Sequence, residues 1–400
     1  MARGTRDAQL SMLALIDLET RIPADHPMRT IKHLADTALA TLSPVFDAMY
    51  AAGGRPSIPP ERLLKAHLLM ALYSIRSERL LCEQLEYHLL YRWFLDMDLV
   101  EPGFVPTTFS KNRQRLLKHQ VAELFMQAVV QQALAHELLS AEHFTVDGTL
   151  IEAAASLKRF TPRTPDGETP PVDDPGNPTV DFKGERRTNQ THASTTDPEA
   201  RLARKGWGAE ARLRFTGHAL MENRNGLIVQ FTVTEATGTA ERDVVPALIE
   251  AARTFGLTPA TLGADKGYDT YGCVAATEAA GVTPHFARYV TKTHPSAISA
   301  ETAASPEYAL SQRKRKRVEE IFGWLKTTGG LRRSRVRGVA RTEQLAQWAA
   351  AAYNLVGVPL AMAGWMSPWA AGLGMAASSL LVVVNALRLT KAPPMPHPEH

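Results

Sequence analysis

Residues 313–341, RKRKRVEEIFGWLKTTGGLRRSRVRGVAR, decide how the rest of the chain reads. As a helix, Val318, Ile321, Phe322 and Leu325 fall on one apolar face at the 3.6-residue period. At about 100° per residue, Arg315, Glu319 and Lys326 lie in a narrow arc beside that face, while Glu320 points nearly away from it. The adjacent glutamates are therefore predicted to differ, Glu319 at the edge of a buried surface and Glu320 a solvated charge. Gly329-Gly330 is predicted to stop the helix, and Arg332, Arg333, Arg335 and Arg337 follow at once. A carboxylate set in so much positive charge suggests a site that handles phosphate with a metal.

The charge count supports that focus. The formal net charge is +4. Between 311 and 341 stand eleven basic residues and two acidic ones, a local +9, so +4 overall less +9 leaves −5 elsewhere. Basic character this concentrated favours a polyanion-binding strip over a generally basic protein. The alternative is a solvated, salt-bridged helix face or a targeting signal.

Four hundred residues suggest two or three domains with ample core. Two cysteines, Cys82 and Cys273, exclude a disulfide framework and a multi-cysteine zinc site, and a reducing cytoplasm is expected. The first twenty residues make a poor secretory signal, and no internal repeat is found.

Residues 1–140 read as all-helical. A helix is expected from Pro27 to Tyr50, and Pro59-Pro60 opens a long helical stretch broken near Ser74 to Ser77. After Pro102-Gly103, Thr107, Thr108 or Ser110 is expected to cap a helix carrying Lys111, Arg113, Arg115 and Lys118, compatible with helix-turn-helix docking on DNA. A bundle helix with a charged face explains the same pattern.

At His143 the pattern changes. HFTVDGTLIEA reads as a strand carrying Asp147. A polar, proline-rich stretch from about 158 to 212 reads as a mobile excursion. RLRFTGHALMEN and GLIVQFTVTEA around Asn225-Gly226 read as a hairpin. Ala240 to Phe255 reads as a helix, TPATLGADKGYD as a strand ending at Asp265, and VTPHFARYV as another strand before the helix with Glu319. The order predicts an α/β domain with a mixed sheet and its acids converging on one edge. Three acids so gathered suit two Mg²⁺ ions ~3.5–4 Å apart, clamping the attacking and leaving oxygens of a phosphodiester.

FTVDGTLIEA, GHALMENRNGL with TEATGTAERD, GADKGYD and RKRVEEIFGWLKTTGGLRRSRVRG together resemble the DDE transposases of bacterial insertion sequences, in the superfamily around insertion sequences four and five. HPMRTIKHL, RPSIPPERLLKAHLLMALYSIRSERLLCEQL and VPTTFSKNRQRL resemble that group's N-terminal domain, so the resemblance runs from about Ile22 to Leu360. It implies a ribonuclease-H-like catalytic domain that cuts DNA at transposon ends and joins the 3′ ends to a target. By resemblance Asp147, Asp265 and Glu319 are the catalytic, metal-holding acids, with Mg²⁺ or Mn²⁺ as cofactor. The family signature Tyr-x2-Arg-x3-Glu-x6-Lys fits at Arg315, Glu319 and Lys326, but its tyrosine position holds Gln312. Arg315 and Lys326 are thereby expected to contact transposon-end phosphate or a flipped base. Arg332, Arg333, Arg335 and Arg337 are expected on the DNA backbone, with Lys111, Arg113 and Arg115 as further DNA contacts.

VDGTL also resembles the first motif of haloacid-dehalogenase-like phosphatases, but Thr145 stands where that family has its nucleophile, and Asp147 matches only the acid/base aspartate. A third reading is an inactive, transposon-derived DNA-binding protein. His218 is expected to be hydrogen-bonded within the sheet, and Trp324 and Trp348 to pack rather than stack on bases. Residues 344–387 contain no charged side chain, and nineteen of them could span a bilayer on length alone, but a tail helix packed on protein is the expectation.

Four regions are expected: a helical DNA-binding or dimerisation domain (1–140), a ribonuclease-H-like domain (141–345, with 158–212 a mobile insertion), apolar C-terminal helices (346–389) and a disordered tail (390–400). The function expected is transposition by two-metal catalysis, on double-stranded DNA, as a homodimer, in the nucleoid and away from membranes.

Overall fold

The computed structural model describes residues 17–50, 57–163, 180–182, 184–206, 208–291 and 295–364. Eight helices come first: α1 (Leu18–Arg21), α2 (Met28–Thr41), α3 (Ser43–Met49), α4 (Pro60–Leu72), α5 (Glu78–Leu85), α6 (Leu89–Phe94), α7 (Pro106–Lys118) and α8 (Val121–Ala135). The break after α4 falls where expected: Ser74 takes φ 54°, and the Ser77 hydroxyl accepts the Leu80 N–H at 3.1 Å. The cap of α7 differs from expectation. Its N-cap is Val105, and Pro106 supplies the first helical residue, where its fixed φ and missing N–H are harmless. Two cations are sealed within these helices. Lys65 lies 2.8 Å from Asp36 Oδ1 and also pairs with Asp96, and Arg92 donates to the carbonyls of Leu85, Asp98 and Glu101. Buried charge is tolerated only when so paired.

The second half is built on one six-stranded mixed sheet. Its central strand β1 (His143–Glu152) follows the helices directly. Off the sheet, β2 (Phe160–Pro162) pairs with β5 (His192–Ser194), and β3 (Val180–Phe182) with β4 (Glu185–Arg187). Next come β6 (Arg201–Ala203), β7 (Arg212–Glu222) and β8 (Leu227–Glu235), with Gly226 at φ 70° in the predicted hairpin turn. On one side of β1 lies antiparallel β7, whose far edge carries β8 and, at its start, β6. On the other lie β9 (Thr261–Ala264) and β10 (Thr283–Phe286), both parallel. This is the ribonuclease-H-like α/β architecture, preceded by a helical region, that the sequence led us to expect.

Three expectations about elements need correction. The stretch 158–212 is not one structureless excursion. Asn189 ties it down, donating to the Leu202 carbonyl at 3.0 Å and accepting the Leu202 N–H at 2.7 Å, and β6 joins the main sheet. Part of its polar composition, Asn189 among it, serves buried hydrogen bonds instead of solvation; residues 164–179 lie outside the described set. The helix expected over 240–255 is two, α9 (Ala240–Asp243) and α10 (Val245–Arg253), the second restarting with a proline in its first turn. After α11 (Tyr271–Ala279) and α12 (Ala300–Ala304), the helix expected to carry Glu319 comes as α13 (Pro306–Lys314), a 3₁₀ turn over Arg315–Arg317, and α14 (Val318–Thr327).

The boundary expected between 345 and 346 falls inside a continuous helix, α15 (Val339–Met362). α15 packs on α2, α4 and α8 and also on β8, locking the two halves together. Asn354 accepts the Ile228 N–H at 2.9 Å and donates to the Ile228 carbonyl at 2.7 Å, while Glu343 accepts the Val233 N–H at 3.1 Å. The outer edge of β8 is thus covered by side chains that satisfy its backbone. Among the described residues no helix is long and apolar enough to cross a membrane; the rest of the apolar tail, 365–400, lies outside them.

Candidate active site

The two aspartates are positioned by strand register. β1 and β9 pair in parallel from His143 with Thr261 to Thr145 with Gly263. That offset of 118 residues carries Asp147 to the level of Asp265, the first residue beyond β9. Asp265 caps a 3₁₀ turn over Lys266–Tyr268, its carboxylate accepting the Gly267 N–H at 2.7 Å. Asp147 accepts its own neighbour's N–H, from Gly148, at 2.8 Å. Both line a cavity of about 670 Å³.

A third carboxylate shares that cavity, and sequence reasoning missed it. Glu241, on α9, also lines the cavity, and its Oε1 would stand 2.3 Å from a Cβ at position 148. Only a glycine leaves room for it there. Burial, then the Asp265 and Glu241 charges, push the Asp147 carboxyl up to about 7, with Arg315 and the Gly148 N–H opposing. Burial, then Asp265, likewise raises Glu241. Beside them Tyr268 is fully buried, its hydroxyl has no hydrogen-bond partner among the described residues, and all three carboxylates act on it electrostatically. The signal for Glu241 was present in TEATGTAERD, an acid entering a helix directly after a sheet strand, but nothing in that stretch marks it as facing β1.

Glu319 is placed differently. It lies between Arg315 and Lys326 on one stripe of α14 and the turn before it, and both of those bases feel the Asp147 charge. Glu319 itself is exposed and is not among the residues lining the cavity. The expectation that Glu320 is solvated is corrected: it is half-buried, and burial raises its carboxyl. The apolar face of α14 is buried as predicted, but α15 also covers the flank of Glu320 and Trp324. Tyr353 meets the Trp324 ring edge-on at 5.6 Å and feels the Glu320 charge. A wheel drawn with one buried face could not anticipate a second packing partner.

Gln312, where the signature has tyrosine, bridges two elements of the site. It donates to the His285 carbonyl on β10 at 2.6 Å and accepts from Arg315 Nε at 3.0 Å. Lys326 and Arg332 line the cavity. Arg333 is exposed, 3.9 Å from Glu152, and Arg337 is exposed. Arg335 donates to the Ile75 carbonyl at 2.9 Å, linking this segment to the N-terminal helices. On α7, Lys111 is exposed, Arg113 is paired with Glu78, and Arg115 lies 4.6 Å from the Tyr50 ring centre. None of these three lines the cavity that holds Asp147 and Asp265. As expected, His218 is bonded within the sheet, to Thr234 Oγ1 at 2.8 Å, and Trp348 packs against Phe125 and His67.

Among the described residues, no group of three or more His, Cys, Asp or Glu side chains stands close enough to hold a metal ion. The aspartate pair alone nonetheless suits magnesium, which takes one or two carboxylates and keeps waters and phosphate oxygens as its other ligands. Like-charge crowding at Asp147 is the condition a divalent cation relieves. The phosphatase alternative fails on Thr145: the residue in the nucleophile's place is 1% exposed.

Comparison with known proteins gives two family matches. The family described as "Transposase domain (DUF772)" matches residues 16–115, and "Transposase DDE domain" matches residues 140–355. Copper-exporting P-type ATPases of Staphylococcus epidermidis and Staphylococcus aureus are 56% identical to this chain over 39 residues, 10% of its length. The chain spans only 5% of the length of those curated relatives. Among solved structures, a piggyBac transposase synaptic complex with hairpin DNA aligns at TM-score 0.38 and 10% identity, over 84% of this chain and 76% of that one. The Mos1 strand transfer complex aligns at 0.19 and 11%, over 80% and 82%. With the DDE domain matched over more than half of its 400 residues, the chain belongs to the DDE transposases, of the kind found in insertion sequences four and five.

Proposed function

We propose that this transposase binds the terminal repeats of an insertion sequence, hydrolyses phosphodiester bonds at its ends and joins the 3′-OH ends to target DNA. The observation that carries the reading is the aspartate pair, which the register of β1 and β9 sets level at the rim of one cavity, with burial first and then the neighbouring acids pushing the Asp147 carboxyl up to about 7. The family depends on a divalent metal, and Asp147 and Asp265 would hold it, with Mg²⁺ the natural ion and Mn²⁺ a working substitute. Bound there, such ions stabilise the attacking and departing oxygens of a phosphodiester. Glu319 is the third acid of this reading, carried on the stripe whose two bases face Asp147. Arg315 and Lys326 neutralise phosphate charge beside the acids, and Arg332, Arg333, Arg335 and Arg337 extend the basic track, with Lys111, Arg113 and Arg115 as a separate contact region. Two ends must be held together, so the working form on DNA is a dimer, acting in the nucleoid.

The test is cleavage of DNA carrying the element's own ends, with Mg²⁺ and with Mn²⁺, by the wild type, Asp147→Asn and Asp265→Asn. Cutting by the wild type that both variants lose supports the reading; equal cutting by all three sinks it. One observation favours a second reading, an inactive DNA-binding protein: Glu319 does not line the cavity. Tight end binding by a wild type that never cuts would favour that reading.

A further inference from the structure

We propose that Lys205, Arg214, Lys326 and Arg332 form a subsite that grips one backbone phosphodiester of the DNA strand beside the acids. This rests on the DNA-cleaving reading above and deepens it, because two of the four bases come from outside the basic strip that the sequence marked.

The four side chains converge from different elements: the turn after β6, strand β7, helix α14 and the turn that follows it. All four line the cavity that holds Asp147, Asp265 and Glu241. Basic and acidic side chains thus share one cavity. Lys326 is half-buried, and burial together with the Lys205, Arg214 and Arg332 charges pushes its amine down, so Lys326 feels the other three.

Acids nearby act on this cluster only at a distance: Arg214 feels Glu152 and Glu210, and Lys326 feels Asp147, but these acids form no ion pair with the four bases. Glu152 and Glu210 are engaged by Arg212, at 3.0 and 2.7 Å, and Glu235 by Arg201, at 2.8 Å. Among the described residues, none of the four bases makes a salt bridge. Cations gathered without an ion-pair partner within contact distance cost stability unless an anion serves them. A phosphodiester fits: its two free oxygens match a guanidinium fork, and an ammonium adds a point charge. A phosphate held there shares the cavity with the aspartates, so the bases would hold the strand beside the acids.

The test measures binding, separately from cutting. Fluorescence anisotropy without divalent metal compares the wild type with Lys205→Gln, Arg214→Gln and the double variant, on duplexes carrying the element's ends, across a salt series. Each single change should lower the slope of log Kd against log salt by about 1, and the double change by about 2, with affinity at low salt falling roughly tenfold or more. Lys205→Arg should keep the wild-type slope. A neutral methylphosphonate walked along the strand should weaken wild-type binding at one phosphate near the cut and leave the double variant indifferent there. Wild-type slope and affinity in both single variants would overturn the subsite. A wild type that binds in this way but cuts nothing would defeat the cleavage reading and leave the subsite standing, whereas one that does not bind DNA would defeat both.

Discussion

Gly148 and Glu241 occupy one space: the Glu241 carboxylate oxygen sits 2.3 Å from where a Cβ on residue 148 would stand. A residue next to the first aspartate is therefore kept bare so that a third carboxylate can reach the same cavity. Gly148→Ala is expected to displace the flexible Glu241 side chain and leave the strand in place. Glu241 is not close enough to join the two aspartates as a ligand of one ion, so its charge acts through the cavity, and its displacement should weaken Mn²⁺ binding by about tenfold at most in protein free of DNA, with Glu241→Gln matching it. Titration calorimetry reads this directly, and unchanged affinity in both variants would refute a role for Glu241 at the cation site.

Much of this site was legible from the sequence because strand register and sequence distance coincide. Asp147 sits within a readable β-pattern and Asp265 directly after one, and the hairpin at Asn225-Gly226 has a local turn signal. Glu241 was not legible, because its position depends on how α9 meets β1, which no periodicity encodes. The half-burial of Glu320 likewise depends on α15, whose own sequence is apolar nearly all round and so names no single partner. The polar stretch 158–212 misled for a related reason. Asn189 is polar because it hydrogen-bonds a buried strand, and composition cannot separate that from solvation.

Stability should depend on pH through Asp147. Its carboxyl is raised from 3.8 to about 7 in the folded state, so the native chain holds a proton that the unfolded chain releases between those values. The native state is thus favoured by this group at low pH and loses that advantage as pH rises from about 4 to about 7. The full effect is of order 4 kcal/mol at most. Asp147→Asn should therefore melt higher than the metal-free wild type at pH 8, with the gap closing toward pH 4. Mg²⁺ at pH 8 should raise the melting temperature of the wild type and not of the variant. A gap independent of pH would remove burial of this charge as the cause.

The grip of α15 on the sheet rests on Asn354. Its amide makes two bonds to the Ile228 backbone in a buried position, 2.9 and 2.7 Å long. Asn354→Ala leaves a buried N–H and carbonyl unsatisfied and is expected to cost about 2–4 kcal/mol in denaturant unfolding. Asn354→Asp keeps one acceptor but loses the donor and adds a buried charge, so it should be at least as damaging. Amide exchange at Ile228 should speed up in both variants. Wild-type protection there would show that the edge of β8 is held by other contacts.

Glu319 and Glu320 are one residue apart yet face different work. Glu319 is exposed on the stripe between Arg315 and Lys326; Glu320 is half-buried near Arg317 and Tyr353. Glu319→Gln should abolish metal-dependent nicking, a loss of at least about a hundredfold, while end binding and melting temperature stay near wild type. Because Glu319 does not line the cavity in the chain alone, the same variant should bind Mn²⁺ without DNA about as well as the wild type. Glu320→Gln should reverse that pattern: nicking kept, and melting equal or higher, since burial of the charge disfavours it. If Glu320→Gln were the variant that lost nicking, the third acid would have to be reassigned along α14. If both variants cut normally, the third acid would be sought at Glu241, which already shares the cavity with the two aspartates.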